Sequence, residues 1–366
     1  MADSCTALAA RGHTVTVFTA TRTVTAPLPP LPFAVVEVPW GKSSVFRHGG
    51  VLNRALRYGA FVQRLAWAID ATGETYDVAI GHGAAAAAFL SLRKAGRVRR
   101  LFVNPHGMEE FAAPPIKRAL LRGQRALVRR AARQADRVIA TDTALVPTVT
   151  RALGVPASRV AVVPNGVNLA VIDALTLPHV ALDKALALVS VGRIEANKGL
   201  DVLAAALGEI APMLPAGWQW LHVGAGAGRE SLERAIHAAG IGAQTTLCGT
   251  LPDGDLHALL AHATLFVHPA RYEGSSLVTL EAMAHRLPVV ATRVGGIPDK
   301  VIPGETGWLV PPAEPHALAR AIQEAAETRR LVLRAMGEHG RTRVEARFSL
   351  DHATDLLLAL IAARDE

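Results

Sequence analysis

The sequence has few cysteines and few aromatic residues, and each shortage excludes a class of protein. Cys5 and Cys248 are the only cysteines in 366 residues. Their separation fits no metal-ligand motif, so neither a disulfide framework nor a zinc site is indicated. Aromatic residues make up 5% of the chain, and the sequence contains no recognisable nucleic-acid motif or stacking platform. This composition argues against nucleic acid as a partner.

Long apolar runs are also missing. No uninterrupted run approaches the ~20 residues that a transmembrane helix needs. The first residues lack the basic and apolar regions of a secretory signal. Half of the residues are nevertheless hydrophobic, which suffices for two domains with cores of their own. We therefore expect a cytoplasmic protein that does not cross a membrane, although it can sit on one.

The positive charge is concentrated in the first half of the chain. Residues 1–172 carry 22 lysines and arginines against 9 acidic residues, whereas the remainder carries 17 against 22. Such asymmetry indicates an anionic partner for the first half, such as a membrane surface or an acidic substrate.

Short apolar segments alternate with helix-length segments along the whole chain, which is typical of parallel sheets covered on both faces. We predict two doubly wound α/β domains that face each other across a cleft. The predicted parts are a first domain over 1–172, a linker over 173–184, a second domain over 185–346, and a helix over 347–366 that returns to the first domain. The predicted strands are HTVTVFTA, FAVVEVP, DVAIGH, RLFVNPH, RVIATD, VAVVPNGV, LALVSVGR, WQWLHVGAG, TTLCGT, LFVHPA, PVVATRVGG and GWLVPP.

Conspicuous polar residues follow several of these strands. His106 follows RLFVNP, Arg193 follows LALVSVG, and Glu273 follows LFVHPARY. Ligands of doubly wound sheets bind beyond the carboxyl ends of the strands, so these residues are candidates for a site.

The segment that begins at Glu273 suits a nucleotide diphosphate. Gly274, Ser275 and Ser276 open a helix, where their amides can approach a phosphate. Glu281 lies two turns further along, on what a helical projection gives as the apolar side, where it can accept hydrogen bonds from sugar hydroxyls. The alternatives are a carboxylate that interacts with the helix dipole for Glu273 and one paired with an arginine for Glu281.

Two cations flank a turn in VGRIEANKGLD. Arg193 and Lys198 can neutralise a diphosphate and stabilise the charge that develops as it leaves. The alternative is a solvated loop whose charges make only surface pairs.

Four segments together resemble the retaining family 4 glycosyltransferases of GT-B fold. They are VPNGV (163–167), VGRIEANKG (191–199), HVGAGAGRE (222–230) and EGSSLVTLEAMAHRLPVVAT (273–292). The resemblance covers almost the whole chain, and its most specific part is the pair of glutamates separated by seven residues.

The resemblance implies roles for the residues that match. Arg193 and Lys198 would bind the donor diphosphate, Glu281 the ribose hydroxyls, and Glu273 would face the donor sugar. Backbone amides would assist at Gly274, Ser275, Ser276 and Leu277.

The resemblance also implies that the domain over 1–172 lies on the acceptor side, that the domain over 185–346 binds the nucleotide sugar, and that both contribute to the site. His106 would lie beside the transferred sugar, while Gly192 and Gly249 would let the phosphate and base approach the backbone. The donor would be a UDP- or GDP-sugar, and neither a metal nor another cofactor would be needed. For His106, the alternative is a loop histidine that caps a turn.

A basic stripe marks the predicted helix over 116–133. Leu120, Leu121, Leu127, Val128 and Ala131 occupy the arc opposite to the arginines. Such a helix either packs on the first sheet with solvated arginines or binds an anionic bilayer at the inner face of the plasma membrane. The aligned arginines are Arg118, Arg122, Arg125, Arg129 and Arg133.

The chain departs from the family at its start. Family members open with a strand and a glycine-rich loop, whereas Met1 already lies within the segment that resembles the first helix. We therefore expect a first sheet without its central strand. Three functions stay open: a retaining hexosyltransferase acting on a glycan or lipid-linked acceptor, an inactive nucleotide-sugar-binding protein truncated at its N-terminus, and a sugar-nucleotide epimerase of the same fold.

Overall fold

The computed structural model describes residues 2–21, 30–40, 51–108, 111, 115–175, 177 and 186–363, apart from the side chains of 51–57 and 117. The chain divides into two compact units. The first comprises Met1–Pro164 and Thr354–Glu366, and the second Asn165–Ala353.

The structure starts the second unit at Asn165, ahead of the predicted linker. Val167 forms a bridge to Ser349, and Ile172 is buried in a core of the second unit. These contacts place the helix Leu169–Ala174 in that unit. Residues 176 and 178–184 of the predicted linker lie outside the described residues.

All twelve predicted strands occur. Their bounds are β1 Thr16–Ala20, β2 Ala34–Val38, β3 Tyr76–His82, β4 Val98–Asn104, β5 Arg137–Ala140, β6 Val160–Val162, β7 Ala187–Val191, β8 Gln219–Val223, β9 Thr245–Gly249, β10 Leu265–His268, β11 Val289–Thr292 and β12 Gly307–Val310. Every pairing between neighbouring strands is parallel.

The first unit contains two sheets. β1 pairs with β2, and β3, β4, β5 and β6 form a four-stranded sheet in that order. Among the described residues, no strand bonds to both β1 and β3. Helices pack around these sheets over Ala2–Ala10, Val51–Asp70, Phe89–Lys94, Pro115–Leu120, Arg122–Gln134 and Val146–Leu153.

The last helix, Leu350–Ala362, belongs to the first unit from Thr354 onward. Arg100 donates a hydrogen bond from Nη1 to the carbonyl oxygen of Ile361 at 2.7 Å. Arg11 forms an ion pair with Asp355 at 3.1 Å.

The second unit is built on one six-stranded sheet in the order β12-β11-β10-β7-β8-β9. Alternate residues of each strand enter different cores, because successive side chains point to opposite faces. Leu188 and Val267 lie in one core, and Val189 and Phe266 lie in the other. The sheet is therefore covered on both faces.

Helices supply that cover. They span Leu169–Ala174, Leu200–Ile210, Arg229–Ala238, Asp253–His262, Leu277–Ala284, Ile297–Lys300, Pro315–Glu327 and Arg330–Arg347. Across the described ranges, no helix combines the length and apolar character needed to cross a bilayer.

Candidate functional site

The strand order of the second sheet reverses between β7 and β10. β8 and β9 continue the sheet on one side, and β11 and β12 continue it on the other. Loops that leave the carboxyl ends of two strands at such a reversal form a crevice that ligands use. The loop after β7 carries Gly192, Arg193 and Lys198, and the loop after β10 carries Glu273. Predicted site residues from distant parts of the sequence therefore meet at one edge of the sheet.

A buried charged cluster joins the two loops. The ammonium group of Lys198 donates a hydrogen bond to Oε2 of Glu273 at 2.7 Å. His268, the last residue of β10, lies with Nε2 at 2.9 Å from the same oxygen. The side chains of Lys198 and Glu273 are 17% and 14% exposed. The sequence analysis missed His268, although its position at a strand end was a usable signal.

The carboxyl group of Glu273 is held in its ionised form. Burial alone would raise its pKa, but hydrogen bonds and charge interactions with His268 and Lys198 lower the pKa to about 2. A carboxylate with so low a pKa is a weak base. It is therefore suited to hold a charge and poorly suited to remove a proton.

Gly199 allows the two loops to approach each other. Its φ is +65°, and a Cβ at this position would overlap the carbonyl oxygen of Pro269. The N–H of Arg271 donates to the carbonyl oxygen of Asn197 at 2.8 Å. The guanidinium of Arg271 also binds both carboxylate oxygens of Asp201 at 2.6 Å. The sequence analysis missed this pair, which fixes the position of the Lys198 loop.

Arg193 does not join the cluster. Its Nη1 lies 2.8 Å from Oε1 of Glu195, and its side chain is 62% exposed. The two predicted cations thus differ in environment, since Lys198 is bound inside the site and Arg193 lies at its surface.

Glycines end three neighbouring strands at this edge. Gly192 follows β7, Gly224 follows β8, and Gly249 ends β9. The N–H of Gly224 donates to the carbonyl oxygen of Gly249 at 2.7 Å. A Cβ at Gly224 would overlap the carbonyl oxygen of Gly192, whereas a Cβ at Gly249 would meet nothing within 4 Å, so open space for a ligand lies beside Gly249.

The loop after Glu273 uses its two serines differently. Ser276 caps the helix Leu277–Ala284, and its Oγ accepts hydrogen bonds from N–H and Oγ1 of Thr279 at 3.3 and 2.9 Å. Its oxygen therefore accepts hydrogen bonds within the protein, and the side chain is buried, with an exposure of 4%. Ser275 is half-buried, and its Oγ accepts a hydrogen bond from Lys300.

Glu281 lies on a partly buried face of its helix. The helical projection grouped it with Leu277, Val278 and Ala284, but the side chain of Leu277 is 44% exposed and Val278 is only half-buried. Ala284 is buried, so this face of the helix lies at the rim of the core, and the Glu281 carboxylate is partly buried there.

Partial burial still affects the Glu281 carboxyl. Burial, and then the negative charge of Asp253, raise its pKa above the ordinary value. Within the described part of the chain, no arginine pairs with this carboxylate. The arginine pairing considered as an alternative is therefore not found, and the carboxylate is available to a ligand.

His106 pairs with a second histidine in the first unit. Its Nε2 lies 2.6 Å from Nδ1 of His82, and the rings stack at 4.7 Å. The N–H of His106 donates to Oδ1 of Asn104 at 2.9 Å, and its φ is +55°. Burial lowers the pKa of both rings, and the charge of His106 contributes to lowering that of His82 to about 4. The sequence analysis missed His82, although it ends the predicted strand DVAIGH.

The predicted basic helix is interrupted at Leu121. It consists of two helices, Pro115–Leu120 and Arg122–Gln134, so the prediction of one helix over 116–133 was wrong at this point. Leu121, Val128 and Ala131 are buried as predicted. Leu120 is 37% and Ile116 81% exposed, so the first of these helices presents apolar side chains at the surface.

Three arginines of this segment are partly committed to the protein, and one of them, Arg133, donates from Nε to the carbonyl oxygen of Leu153 at 3.4 Å. The guanidinium groups of Arg125 and Arg129 lie 5.1 and 5.3 Å from the ring centre of Phe111. Arg129 also donates to the carbonyl oxygen of Ala152 at 2.8 Å. The remaining charge faces a groove of about 390 Å³ whose charged lining consists of Arg122, Arg125, Arg129, Arg130 and Arg133.

Two protein-family models match the chain in succession. Residues 1–171 match Glycosyltransferase Family 4, and residues 178–343 match Glycosyl transferases group 1. The two matches together cover almost the whole chain.

Curated relatives share about a third of the aligned residues. A lipopolysaccharide core biosynthesis mannosyltransferase from Rhizobium leguminosarum is 32% identical over 176 residues, 46% of this chain and 48% of the relative. A D-inositol 3-phosphate glycosyltransferase from Segniliparus rotundus is 32% identical over 237 residues, 62% of this chain and 52% of the relative. The chain thus spans about half the length of these relatives.

Solved structures resemble a larger part of the chain. A sucrose-phosphate synthase from Thermosynechococcus elongatus superposes with a TM-score of 0.80 at 26% identity, covering 98% of this chain and 90% of that one. The structure of Anabaena HepE in complex with UDP-glucose superposes with a TM-score of 0.68 at 19% identity, covering 90% of this chain and 86% of that one. The second likeness concerns the fold alone.

Proposed function

Because the chain belongs to the glycosyltransferases of family 4 and group 1, we propose that it transfers a hexosyl group from a nucleotide-diphosphate sugar with retention of anomeric configuration. The acceptor would be a glycan or a lipid-linked sugar. One observation carries the proposal, the cluster of Lys198, Glu273 and His268 at the reversal point of the second sheet. It combines a cation for a diphosphate with an ionised carboxylate for the sugar.

The donor diphosphate would bind between the two loops. Lys198 is already oriented by Glu273, so little reorganisation is needed for its ammonium group to meet a phosphate oxygen. Arg193 would exchange its surface contact with Glu195 for the same phosphates. These cations would stabilise the negative charge that grows as the diphosphate leaves, so the proposal includes no metal or other cofactor.

The ionised carboxylate of Glu273 suggests how configuration is retained. As the bond between the anomeric carbon and the diphosphate oxygen breaks, the sugar becomes positively charged, and Glu273 would stabilise that charge. The acceptor oxygen would then bond to the anomeric carbon on the face that the diphosphate leaves. Since Glu273 is a weak base, the acceptor proton would go to the departing diphosphate.

The nucleoside would lie beside Glu281 and the glycine strand ends. The carboxylate of Glu281 can accept hydrogen bonds from the ribose hydroxyls, and Gly192 and Gly249 leave room for phosphate and base. Support for a nucleotide-diphosphate sugar comes from a relative that is named as GDP-mannose-dependent.

Two features of the first unit concern the acceptor side. His106 lies in the first unit, and its role beside the transferred sugar stays a prediction. We propose that the arginines around the 390 Å³ groove, with the exposed Ile116, bind an anionic membrane surface. A cytoplasmic protein peripheral to the inner face of the plasma membrane would then meet lipid-linked acceptors. A relative named for lipopolysaccharide core biosynthesis agrees with such an acceptor.

Nucleotide release and sugar transfer would test the proposal. The purified chain would be incubated with UDP-glucose, UDP-galactose and GDP-mannose, with and without a mixture of membrane lipids and oligosaccharides. We expect acceptor-dependent release of UDP or GDP, and an NMR spectrum of the product in which the anomeric configuration of the donor is kept. Glu281→Ala should reduce the rate at least about tenfold.

The alternatives predict different outcomes. An inactive binding protein would bind UDP or GDP in calorimetry but release none from any donor. An epimerase would change the sugar without an acceptor and without transfer. Full activity in Glu281→Ala would contradict the assigned role of this carboxylate.

A further inference from the structure

Lys300 is a lysine without solvent exposure. It ends the short helix Ile297–Lys300, and its residue exposure is 0%. Lysine is almost never fully buried unless other groups compensate its charge. Its contacts therefore indicate what the charge does.

The ammonium group of Lys300 contacts a hydroxyl, a backbone carbonyl and an aromatic ring. Nζ lies 3.1 Å from Oγ of Ser275 and 3.2 Å from the carbonyl oxygen of Gly296. It also lies 5.5 Å from the ring centre of Phe348. Two oxygen acceptors and an aromatic face suit a buried cation.

The direction of one of these hydrogen bonds is fixed. An ammonium group only donates, so Oγ of Ser275 is the acceptor. The hydroxyl hydrogen of Ser275 is then left for another acceptor, and none occurs among the described protein groups. Ser275 is half-buried and lies two residues after Glu273. Its hydroxyl is therefore a donor available to a ligand at the site.

Lys300 also binds the neighbouring loop to this segment. A Cβ at Gly295 would overlap the carbonyl oxygen of Glu273, so the loops are in direct contact. The N–H of Gly296 donates to the carbonyl oxygen of Gly274 at 2.8 Å. By donating to Gly296 as well as to Ser275, Lys300 holds both sides of this contact.

We propose that Lys300 is a positioning residue for a nucleoside diphosphate, which it serves by orienting the Ser275 hydroxyl as a donor to a phosphate oxygen. Lys300 itself does not touch the ligand. Its charge strengthens the donor, because a hydroxyl that accepts from a cation becomes a better donor in turn. This inference rests on the proposed function, since it assumes that the loop after Glu273 binds the diphosphate.

Calorimetric titration of the full chain with UDP and with GDP would test the inference. The variants would be Lys300→Met, Ser275→Ala and the double substitution. Loss of one charge-assisted hydrogen bond should weaken binding about tenfold in each single variant. The double variant should bind about as tightly as Lys300→Met alone, because both substitutions remove the same interaction.

Thermal melting would separate positioning from structural support. The cost of burying the Lys300 charge offsets the loss of its two hydrogen bonds, so the Tm of Lys300→Met should lie close to that of the unchanged protein. Arg343→Met is a matched control. Its guanidinium lies 5.9 Å from the ring centre of Phe348 but donates to the carbonyl oxygen of Asp299. The Arg343→Met substitution should leave the affinity for UDP and GDP unchanged.

Several outcomes would overturn the inference. Unchanged affinity in Lys300→Met, or independent and additive losses in the double variant, would show that Lys300 does not act through Ser275. If Lys300→Met fails to fold, unchanged nucleotide affinity in Ser275→Ala would overturn the inference instead, because the Ser275 hydroxyl would then not bind the phosphate. An unchanged protein that binds neither UDP nor GDP would contradict the proposed function itself, and the inference with it.

Discussion

Lys198 donates a hydrogen bond to Oε2 of Glu273 over 2.7 Å, although 75 positions separate the two residues in the chain. The same oxygen is within 2.9 Å of His268. Because one carboxylate oxygen serves both groups, neutralising Glu273 alters the environment of Lys198 and of His268 together. Both side chains therefore depend on the charge of Glu273.

Glu273→Gln should lower kcat for sugar transfer about 100-fold, since it removes the negative charge assigned to the reacting sugar. Initial rates of nucleotide release at saturating donor and acceptor would measure this change in kcat. Glu195→Gln is the matched control, because it neutralises a carboxylate that pairs with Arg193 at the surface, and it should keep its rate within about threefold. Equal losses in the two variants would contradict a special role for Glu273.

Acid should remove the contribution of Glu273 to stability. The fold lowers its pKa from 4.5 to about 2, so the ionised form is favoured in the folded state. This stability is complete above pH 4.5 and is lost as the pH falls towards 2, with a size on the order of 3 kcal/mol. The Tm difference between the unchanged protein and Glu273→Gln should therefore narrow below pH 4.5. A constant difference down to pH 2 would refute the prediction.

Glu281→Gln should separate stability from binding. The fold raises the pKa of this carboxyl, first through burial and then through Asp253, so the folded state favours the protonated form. The stability that this preference contributes is present below pH 4.5 and is lost as the pH rises above that value and the carboxyl ionises. At pH 7 the variant should melt at or above the unchanged protein, yet bind UDP or GDP about tenfold more weakly. Asp253→Asn is the control and should leave affinity unchanged. A lower Tm with unchanged affinity would indicate a structural carboxylate.

The pair of His82 and His106 should stay neutral at physiological pH. NMR titration should give a midpoint near 4 for His82 and one below 6.5 for His106. Stability from the neutral rings should be present above pH 6.5 and lost as the pH falls. His106→Ala should raise the pKa of His82 only partly, because burial is the larger cause. A midpoint near 6.5 for His82 in the unchanged protein would contradict the pairing.

Binding to anionic vesicles should depend on salt and on the basic groove. Arg122→Ser with Arg130→Ser should weaken binding to phosphatidylglycerol vesicles about 30-fold, and Ile116→Glu should weaken it further. Arg99→Ser is the control, since Arg99 is 75% exposed and pairs with Asp77 outside the groove. Equal binding to phosphatidylcholine vesicles, or no binding of the folded protein to any vesicle, would show that the basic groove is not a binding surface for anionic membranes.

Local patterns were enough to place the elements and to select the site loops. The apolar runs predicted each strand that the described residues form, because a strand buried on both faces is recognisable from its own residues. The positions of Gly192, Lys198 and Glu273 after strand ends were sufficient to place them near one another, since parallel strands end at the same edge of a sheet.

Patterns were not enough where burial depends on distant neighbours. Leu277 and Val278 suggested a buried face around Glu281, but apolar residues also occur at the rim of a core. The interruption at Leu121 was not visible in the periodicity, which continues through it.

The sequence by itself determined the doubly wound architecture and the identity of the loops that carry the charged groups. Only the tertiary structure decided that Lys198 pairs with Glu273 and His268 while Arg193 stays at the surface, and that Lys300 is buried beneath Ser275. The physical reason is that the state of a charge depends on the atoms that replace its water. Those atoms come from segments far away in the chain, whereas a strand or a helix is specified by residues close together.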